Sequence, residues 1–184
     1  MKWNTIKHIL GTALLASAMS MQAATAAPVI SAVATPAGAV AGHAVGVDIN
    51  IAGITDLAAW QFTLNFDPSL LQVVSGIEGG FLDQAGTTFF DAGTFDNAAG
   101  TISFAFDSLF GPGPGASGSG LLAHYDFNAV GNGPVSFSFS DLLFLDSASN
   151  EILVSTSAVP EPATVLLLLL AMGGVMAVRR RGSM

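Results

Sequence analysis

The sequence predicts an all-β fold: an antiparallel jelly-roll or Greek-key sandwich of about nine strands, flanked by an N-terminal signal peptide and a C-terminal transmembrane helix. Three observations carry that reading. Between residues 29 and 155 apolar side chains recur at every second position, the period of a half-buried strand. Turn-forming Gly, Asn and Pro cluster between those runs. No stretch inside the region sustains a helical period.

Taken in order, the chain opens on Lys2 and Lys7, then an apolar run from Ile9 to Ala16, then the small residues Ala24-Thr25-Ala26. A charged start, a short apolar core and an A-x-A site describe a secretory signal peptide, residues 1–26, with Ala24 and Ala26 at the cleavage site. Residues 27–157 form the β domain. Val45, Val47, Ile49 and Ile51 alternate with Gly46, Asp48 and Asn50; Trp60, Phe62, Leu64 and Phe66 alternate with Gln61, Thr63 and Asn65. Ile102-Phe104-Phe106, Leu121-Ala123-Tyr125-Phe127 and Val135-Phe137-Phe139 repeat the pattern, each placing its apolar set inward. Shorter strands are expected at 29–34, 71–74, 88–95 and 152–155. Asn97-Ala98-Ala99-Gly100 and Gly131-Asn132-Gly133-Pro134 read as turns. Gly111–Gly120 holds only Gly, Pro, Ala and Ser and reads as a flexible loop; with no lysine and no following helix it is not a phosphate cradle.

The last part, residues 158–184, reads Val159-Pro160-Glu161-Pro162, an apolar span from Ala163 to Val178, then Arg179-Arg180-Arg181. As a helix that span of 16 residues is about 24 Å long. It is slightly short for a hydrocarbon core of about 30 Å, a mismatch that local thinning and snorkelling arginines absorb. The arginine cluster would stay cytoplasmic. The domain is thereby set on the outer side of the inner membrane.

Charge narrows the function. The five basic side chains are Lys2, Lys7, Arg179, Arg180 and Arg181, so the domain has neither Lys nor Arg, while twelve of the thirteen acidic residues lie in it and the other is Glu161. A nucleic-acid partner is excluded by the want of cations to meet phosphate. With no cysteine there is no disulfide, thiolate metal site or cysteine nucleophile. Twelve acids offer many carboxylate pairs for glycoside chemistry, but no nucleophile motif and no orienting Lys or Arg accompany them. No catalytic residue is assigned. His124 is expected on a solvent-facing strand position.

Two binding chemistries remain. Acidic loops suit a hard oxygen-seeking cation, and calcium is the one cofactor they would take; Asp141, Asp146 and Glu151 are its weak candidate ligands, with Asp91, Asp96, Asn97 and Asn150 in similar loops. No EF-hand pattern is present, and solvated surface charge is the commoner account. Aromatics could instead stack on sugar rings. Most Phe fall on the inward phase, but Phe81, Phe89, Phe90 and Phe110 escape it and are the candidates for an exposed ligand-binding set. Phe89 and Phe90 are adjacent, so one of them faces away from the core.

Two resemblances add to this. Val159-Pro160-Glu161-Pro162, the apolar span and the Arg cluster resemble the PEP-CTERM sorting signal. That likeness implies a membrane-embedded processing enzyme of the exosortase type, transient residence in the inner membrane, and a Gram-negative bacterium that makes extracellular polysaccharide. The stretch Asp56 to Val74, with its Phe66-Asp67-Pro68 turn, resembles the cohesin domain, the dockerin-binding module of cellulose-degrading complexes. So do Gly120–Ala123 with Tyr125-Asp126-Phe127, and Asn150-Glu151-Ile152. It implies a nine-stranded sandwich that offers a flat sheet face to a helical dockerin. The outward set Asp48, Asn50, Gln61, Thr63 and Asn65 would steer a basic partner to it. The expectation is a non-enzymatic, exported binding or adhesion module, sorted to the cell surface or exopolysaccharide matrix. The alternative is a carbohydrate-binding module for matrix or plant-type polysaccharide.

Overall fold

In the computed structural model the described residues are 26–156; Ala24, the Val159–Pro162 motif, the apolar span and Arg179–Arg181 lie outside them. The strands are β1 (Val29–Thr35), β2 (Gly38–Ala39), β3 (Ala44–Phe66), β4 (Leu71–Glu78), β5 (Thr88–Asp91), β6 (Thr94–Asp96), β7 (Thr101–Leu109), β8 (Ala116–Ala129), β9 (Gly133–Pro134), β10 (Phe137–Asp146) and β11 (Ser155–Thr156). β2 and β9 form a separate two-stranded ribbon; the other nine are joined by one hydrogen-bonded network. The architecture is the all-β sandwich expected, and among the described residues there is no helix.

β3 organises the whole. Its first half pairs with β1 on one side and β8 on the other, and its second half with β10 and β7. The first sheet therefore runs β11-β1-β3-β8-β4 and the second β10-β3-β7-β5, with β6 also on β7. A strand serves two sheets only if it bends between them. The bend lies at Ala52–Leu57, where the pairing with β8 slips twice and Gly53 and Asp56 take positive φ. The slips change the phase: Val45, Val47, Ile49 and Ile51 are buried before the bend, and Trp60, Phe62, Leu64 and Phe66 after it. Ser119 Oγ accepts from Gly53 N at 3.0 Å and Ser117 Oγ from Asp56 N at 2.9 Å, so two hydroxyls of β8 satisfy amides released by the slips.

One core lies between the sheets. Phe66 and Phe127, from opposite sheets, meet edge to face at 5.1 Å, and Tyr125 Oη donates to Ala92 O at 3.1 Å. Asn97 fastens the free edge of β4: its Oδ1 accepts from Val73 N at 2.7 Å and its Nδ2 donates to Val73 O at 3.1 Å.

Several boundaries differ from the expected ones. The runs 45–51 and 60–66 are one continuous strand. The loop expected over 111–120 ends at Gly115, and Ala116–Gly120 is strand. Small residues hide it from a periodicity reading, yet the site demands them: a Cβ on Gly120 would sit 2.5 Å from Phe81 Cδ2. Residues 88–95 are two strands broken at Ala92-Gly93, β10 continues to Asp146, and the last strand among the described residues is Ser155–Thr156.

Candidate partner-binding face

The outward surface of the second sheet is built by one irregularity in β7. Pairing with β3 runs Leu64↔Ile102 and then Phe62↔Ala105, so two residues, Ser103 and Phe104, oppose the single Thr63. Phe104 takes φ 55 and its amide points to Thr63 Oγ1 at 3.4 Å. An extra residue in one strand inverts the faces of everything beyond it. The sequence expectation put Ile102, Phe104 and Phe106 inward together. Instead Ile102, Ala105 and Asp107 point to the core, Phe104 is 59% exposed and Phe106 lies on the outer face.

Register then sets the outer face in rows. One row crosses the sheet as Leu145, Ala59, Ser108 and Phe89; the next as Leu143, Gln61, Phe106 and Asp91. Phe89 packs on Phe106 at 5.7 Å and on Phe110 at 6.2 Å between ring centres. Phe89 is 53% and Phe110 65% exposed, and Leu143 is also exposed. A shallow cavity of about 130 Å³ opens between Ala59, Gln61, Phe106, Ser108, Leu143 and Leu145. Apolar side chains gathered on a flat sheet face, with polar groups beside them, are the makings of a protein contact surface.

Of the four candidate aromatics, Phe89 and Phe110 lie on this face. Phe90 points the other way, partly buried with its ring 6.1 Å from Trp60. Phe81 corrects the expectation: it is only 4% exposed, packed over Gly120 in the core. Phe104, Phe106, Leu143 and Leu145 were missed. A run such as Ser103-Phe104-Ala105-Phe106-Asp107 reads equally well in either phase, and nothing in it marks the bulge.

The inversion carries Asp107 inside. It is 1% exposed and sits in register between Trp60 and Phe90. Its Oδ1 accepts from Ser108 N at 2.8 Å, while Oδ2 and Trp60 Nε1 have no hydrogen-bond partner among the described residues. Burial, and then the nearby Glu78 carboxyl, push the Asp107 carboxyl up to about 7. Glu78 comes inward from β4 and accepts from Thr88 Oγ1 at 2.8 Å. The two acids approach one another across the sandwich, Asp107 buried and Glu78 partly buried.

The outer face of the first sheet is different. Asp48 Oδ1 lies 2.6 Å from His124 Nδ1, His124 Nε2 lies 3.5 Å from Asp126 Oδ1, and Ser75 Oγ donates to Asp126 Oδ2 at 2.7 Å. The Asp48 hydrogen bond raises the imidazole above its ordinary value. Ser75 holds the Asp126 carboxyl below its own. The outward set expected to act together is thus divided: Asp48 and Asn50 belong to this face, and Gln61, Thr63 and Asn65 lie on β3 beyond the bend, in the second sheet. Thr63, expected wet, is buried under the bulge.

The calcium candidates do not converge. Asp146 closes its own turn: its carboxyl accepts from Asn150 Nδ2 at 3.0 Å, from Asn150 N at 2.8 Å and from Ala148 N at 2.9 Å, and these bonds, the Asn150 side chain first, hold it below the ordinary range. Asp91 and Asp96 cap turns in the same way. Asp141 stands exposed at a bulge with φ 51, and Glu151 is exposed opposite Leu145. Among the described residues no three acidic or His side chains gather as a metal would need.

The family model described as the Cohesin domain matches residues 30–159, and that of the PEP-CTERM protein-sorting motif matches 158–181. No curated protein matches the sequence. Among solved structures, the second type II cohesin module of the adaptor ScaA scaffoldin of Acetivibrio cellulolyticus is similar at 16% identity and TM-score 0.60, over 71% of this chain and 93% of that one. A type II Cohesin-X-Dockerin complex mutant from the same organism is similar at 15% identity and TM-score 0.58, over 71% and 95%. A non-cellulosomal cohesin from the archaeon Archaeoglobus fulgidus is similar at 16% identity and TM-score 0.53, over 71% and 86%. At these identities the likeness is one of fold.

Proposed function

The chain belongs to the cohesin domain family, and we propose that it is an exported, non-enzymatic module that binds a helical, dockerin-like protein through the outer face of β10-β3-β7-β5. The observation that carries this reading is the bulge at Ser103–Phe104. It turns Phe104 and Phe106 outward to join Phe89, Phe110 and Leu143, although doing so buries Asp107. A domain selected for stability alone would keep those phenyl groups inside and the carboxylate out. The similar Cohesin-X-Dockerin complex supports the class of partner. With no Lys or Arg in 27–157, the domain would favour a partner bearing basic side chains at the rim.

The sorting-motif match supports the rest of the reading. A signal peptide over 1–26 exports the chain, and the span after Pro162 holds the precursor in the inner membrane. An exosortase-type enzyme acts at Val159–Pro162, and the domain reaches the cell surface or the exopolysaccharide matrix. Its role there is adhesion or scaffolding. The absence of turnover is part of the proposal: Asp107 is buried, and the surface carboxylates Asp67, Asp91, Asp96 and Asp146 are bound up in turns.

Titration of the purified chain with a panel of dockerin modules and, in parallel, with matrix polysaccharide tests this. Saturable dockerin binding that is lost in Phe89→Asp is expected. Binding to polysaccharide alone would transfer the face to sugar recognition. The rings of Phe89 and Phe110 meet at 76° and do not form one flat platform, which favours the protein partner.

A further inference from the structure

The edge strand β5 gives the aromatic face a slender support. It has four residues, lies at the end of its sheet and pairs with β7 alone among the described strands, yet it carries Phe89. Short edge strands open first in a folded protein unless something besides the ladder holds them. Phe89 points outward, so the holding falls to its two neighbours, which point in. Thr88 Oγ1 donates to Glu78 Oε1 of β4 at 2.8 Å, across the core. Phe90 stands opposite Asp107 of β7 in register. The Glu78 side chain is in turn within hydrogen-bonding reach of the Asp107 carboxyl. Three strands of the two sheets therefore meet at one pair of acids.

Inside a protein such a pair is normally neutralised by Lys, Arg or a metal ion. Residues 27–157 contain no Lys or Arg. His124 is engaged with Asp48 on the outer face of the first sheet, and His43 is exposed ahead of β3. Among the described residues no three acidic or His side chains gather for a metal. The remaining titratable groups on the surrounding elements bring no positive charge. Asp83, in the turn after β4, adds to the negative field at Asp107; Asp91 of β5 stands on the outer row with Phe106; Tyr125 of β8 gives its Oη to Ala92 O. Carboxylate oxygens only accept, so two of them are joined only by a proton. Asp107 Oδ2, buried and without a donor among the described residues, has the place for it.

We propose that Asp107 and Glu78 hold one proton between them, and that this shared proton is a positioning element of the aromatic face, fastening β5 and with it Phe89 to both sheets. Burial, and then the Glu78 carboxyl, push the Asp107 carboxyl up to about 7. Below that value the proton stays and β5 is tied down. Above it the proton passes to water, two like charges are left in a buried site, and Thr88 and Phe90 lose the group that held them. The latch stands on the geometry of β4, β5 and β7 alone. Its consequence for binding, that affinity for a dockerin module falls as pH rises through the same range, rests on the reading given under Proposed function.

The test needs no partner. It uses the full chain in detergent micelles with Trp3→Phe, which leaves Trp60 as the single indole. Trp60 is the register partner of Asp107 on β3, so its fluorescence reports on that carboxyl. Its emission is expected to titrate with a midpoint near 7 in this parent and to stay flat in Asp107→Asn, whose side-chain N–H stands in for the proton. Glu78→Gln removes the like charge and is expected to bring the midpoint down by about one pH unit. Amide exchange gives the second readout, taken as protection factors so that base catalysis cancels. The Thr88–Asp91 amides are expected to be about tenfold less protected at about pH 8.5 than at about pH 5.5 in the parent, and to change less than about threefold in D107N. A flat emission in the parent, a midpoint unmoved by E78Q, or an equal loss of β5 protection in D107N would overturn the proposal. A failed partner reading would leave both readouts as they are.

Discussion

The two outer faces of this sandwich share one strand and differ in chemistry. β3 contributes Asp48 and Asn50 to the first sheet and Ala59 and Gln61 to the second. Around the former lies a polar chain of Ser75, Asp126, His124 and Asp48, each side chain held by the next. Around the latter lie Phe89, Phe106, Phe110, Leu143 and Leu145, with no hydrogen bond of their own to satisfy. The first face ties its central polar side chains to one another and leaves Val33, Val74 and Ile77 exposed at its flanks; the second gathers its apolar side chains into one aromatic cluster. Part of the difference arises from a single extra residue in β7. Regular alternation would have hidden Phe104 and Phe106 and exposed Asp107.

The comparison breaks most visibly in binding. Phe89→Asp combined with Leu143→Asp is expected to lower affinity for a dockerin-type partner by about 100-fold or more, since anchors central to such faces are each worth about 2 kcal/mol or more. Asp48→Asn on the opposite face is expected to change it less than threefold. Titration of each variant against the same partner checks both.

Asp107 sharpens the comparison from inside, because it is the cost of the aromatic face. Its folded value of about 7 lies above the ordinary carboxyl value of 3.8. The folded protein therefore keeps a proton that the unfolded chain has released, and stability falls as pH rises from about 4 to 7. Asp107→Asn cannot ionise and offers an N–H toward Glu78. It is expected to flatten that fall and to raise stability at pH 8 by roughly 1–3 kcal/mol, the scale of an unsatisfied buried polar group. Denaturant unfolding at pH 5 and pH 8 measures it; parallel pH profiles for the two chains would contradict the assignment.

Smaller effects follow. Asn97→Ala removes both bonds that tie the β4 edge to the turn after β6 and is expected to cost about 1–2 kcal/mol in chemical denaturation. His124→Gln tests the polar face. Its imidazole is raised first by Asp48, so its contribution is complete below the ordinary histidine value and is lost as pH rises through the raised one. As a partly exposed pair it should be worth no more than about 1 kcal/mol, seen as a difference in melting temperature at pH 5.5 that closes by pH 9. Salt should stabilise the parent domain modestly, because twelve carboxylates repel with no Lys or Arg among them.

The sequence made the sandwich legible because the two runs of β3 each keep one phase, Val45-Val47-Ile49-Ile51 and Trp60-Phe62-Leu64-Phe66 being buried as their alternation predicts. It failed where backbone irregularity changed the phase. The bend in β3 made one strand look like two. Ala116–Gly120 has no apolar alternation, since its packing against Phe81 and its bonds to the bend require small and hydroxyl residues. The bulge in β7 left no compositional mark at all. Of the candidate site, Phe89 and Phe110 were readable because they fell outside any core phase; Phe104 and Phe106 were not, because they fit one.

The most direct test of the account is the affinity of one dockerin-type partner for the parent chain, for Phe106→Asp and for His124→Asp, measured side by side by calorimetric titration. The aromatic face predicts that Phe106→Asp abolishes saturable binding while His124→Asp binds like the parent. Binding that survives Phe106→Asp and is lost in His124→Asp would place the contact on the opposite sheet and contradict it.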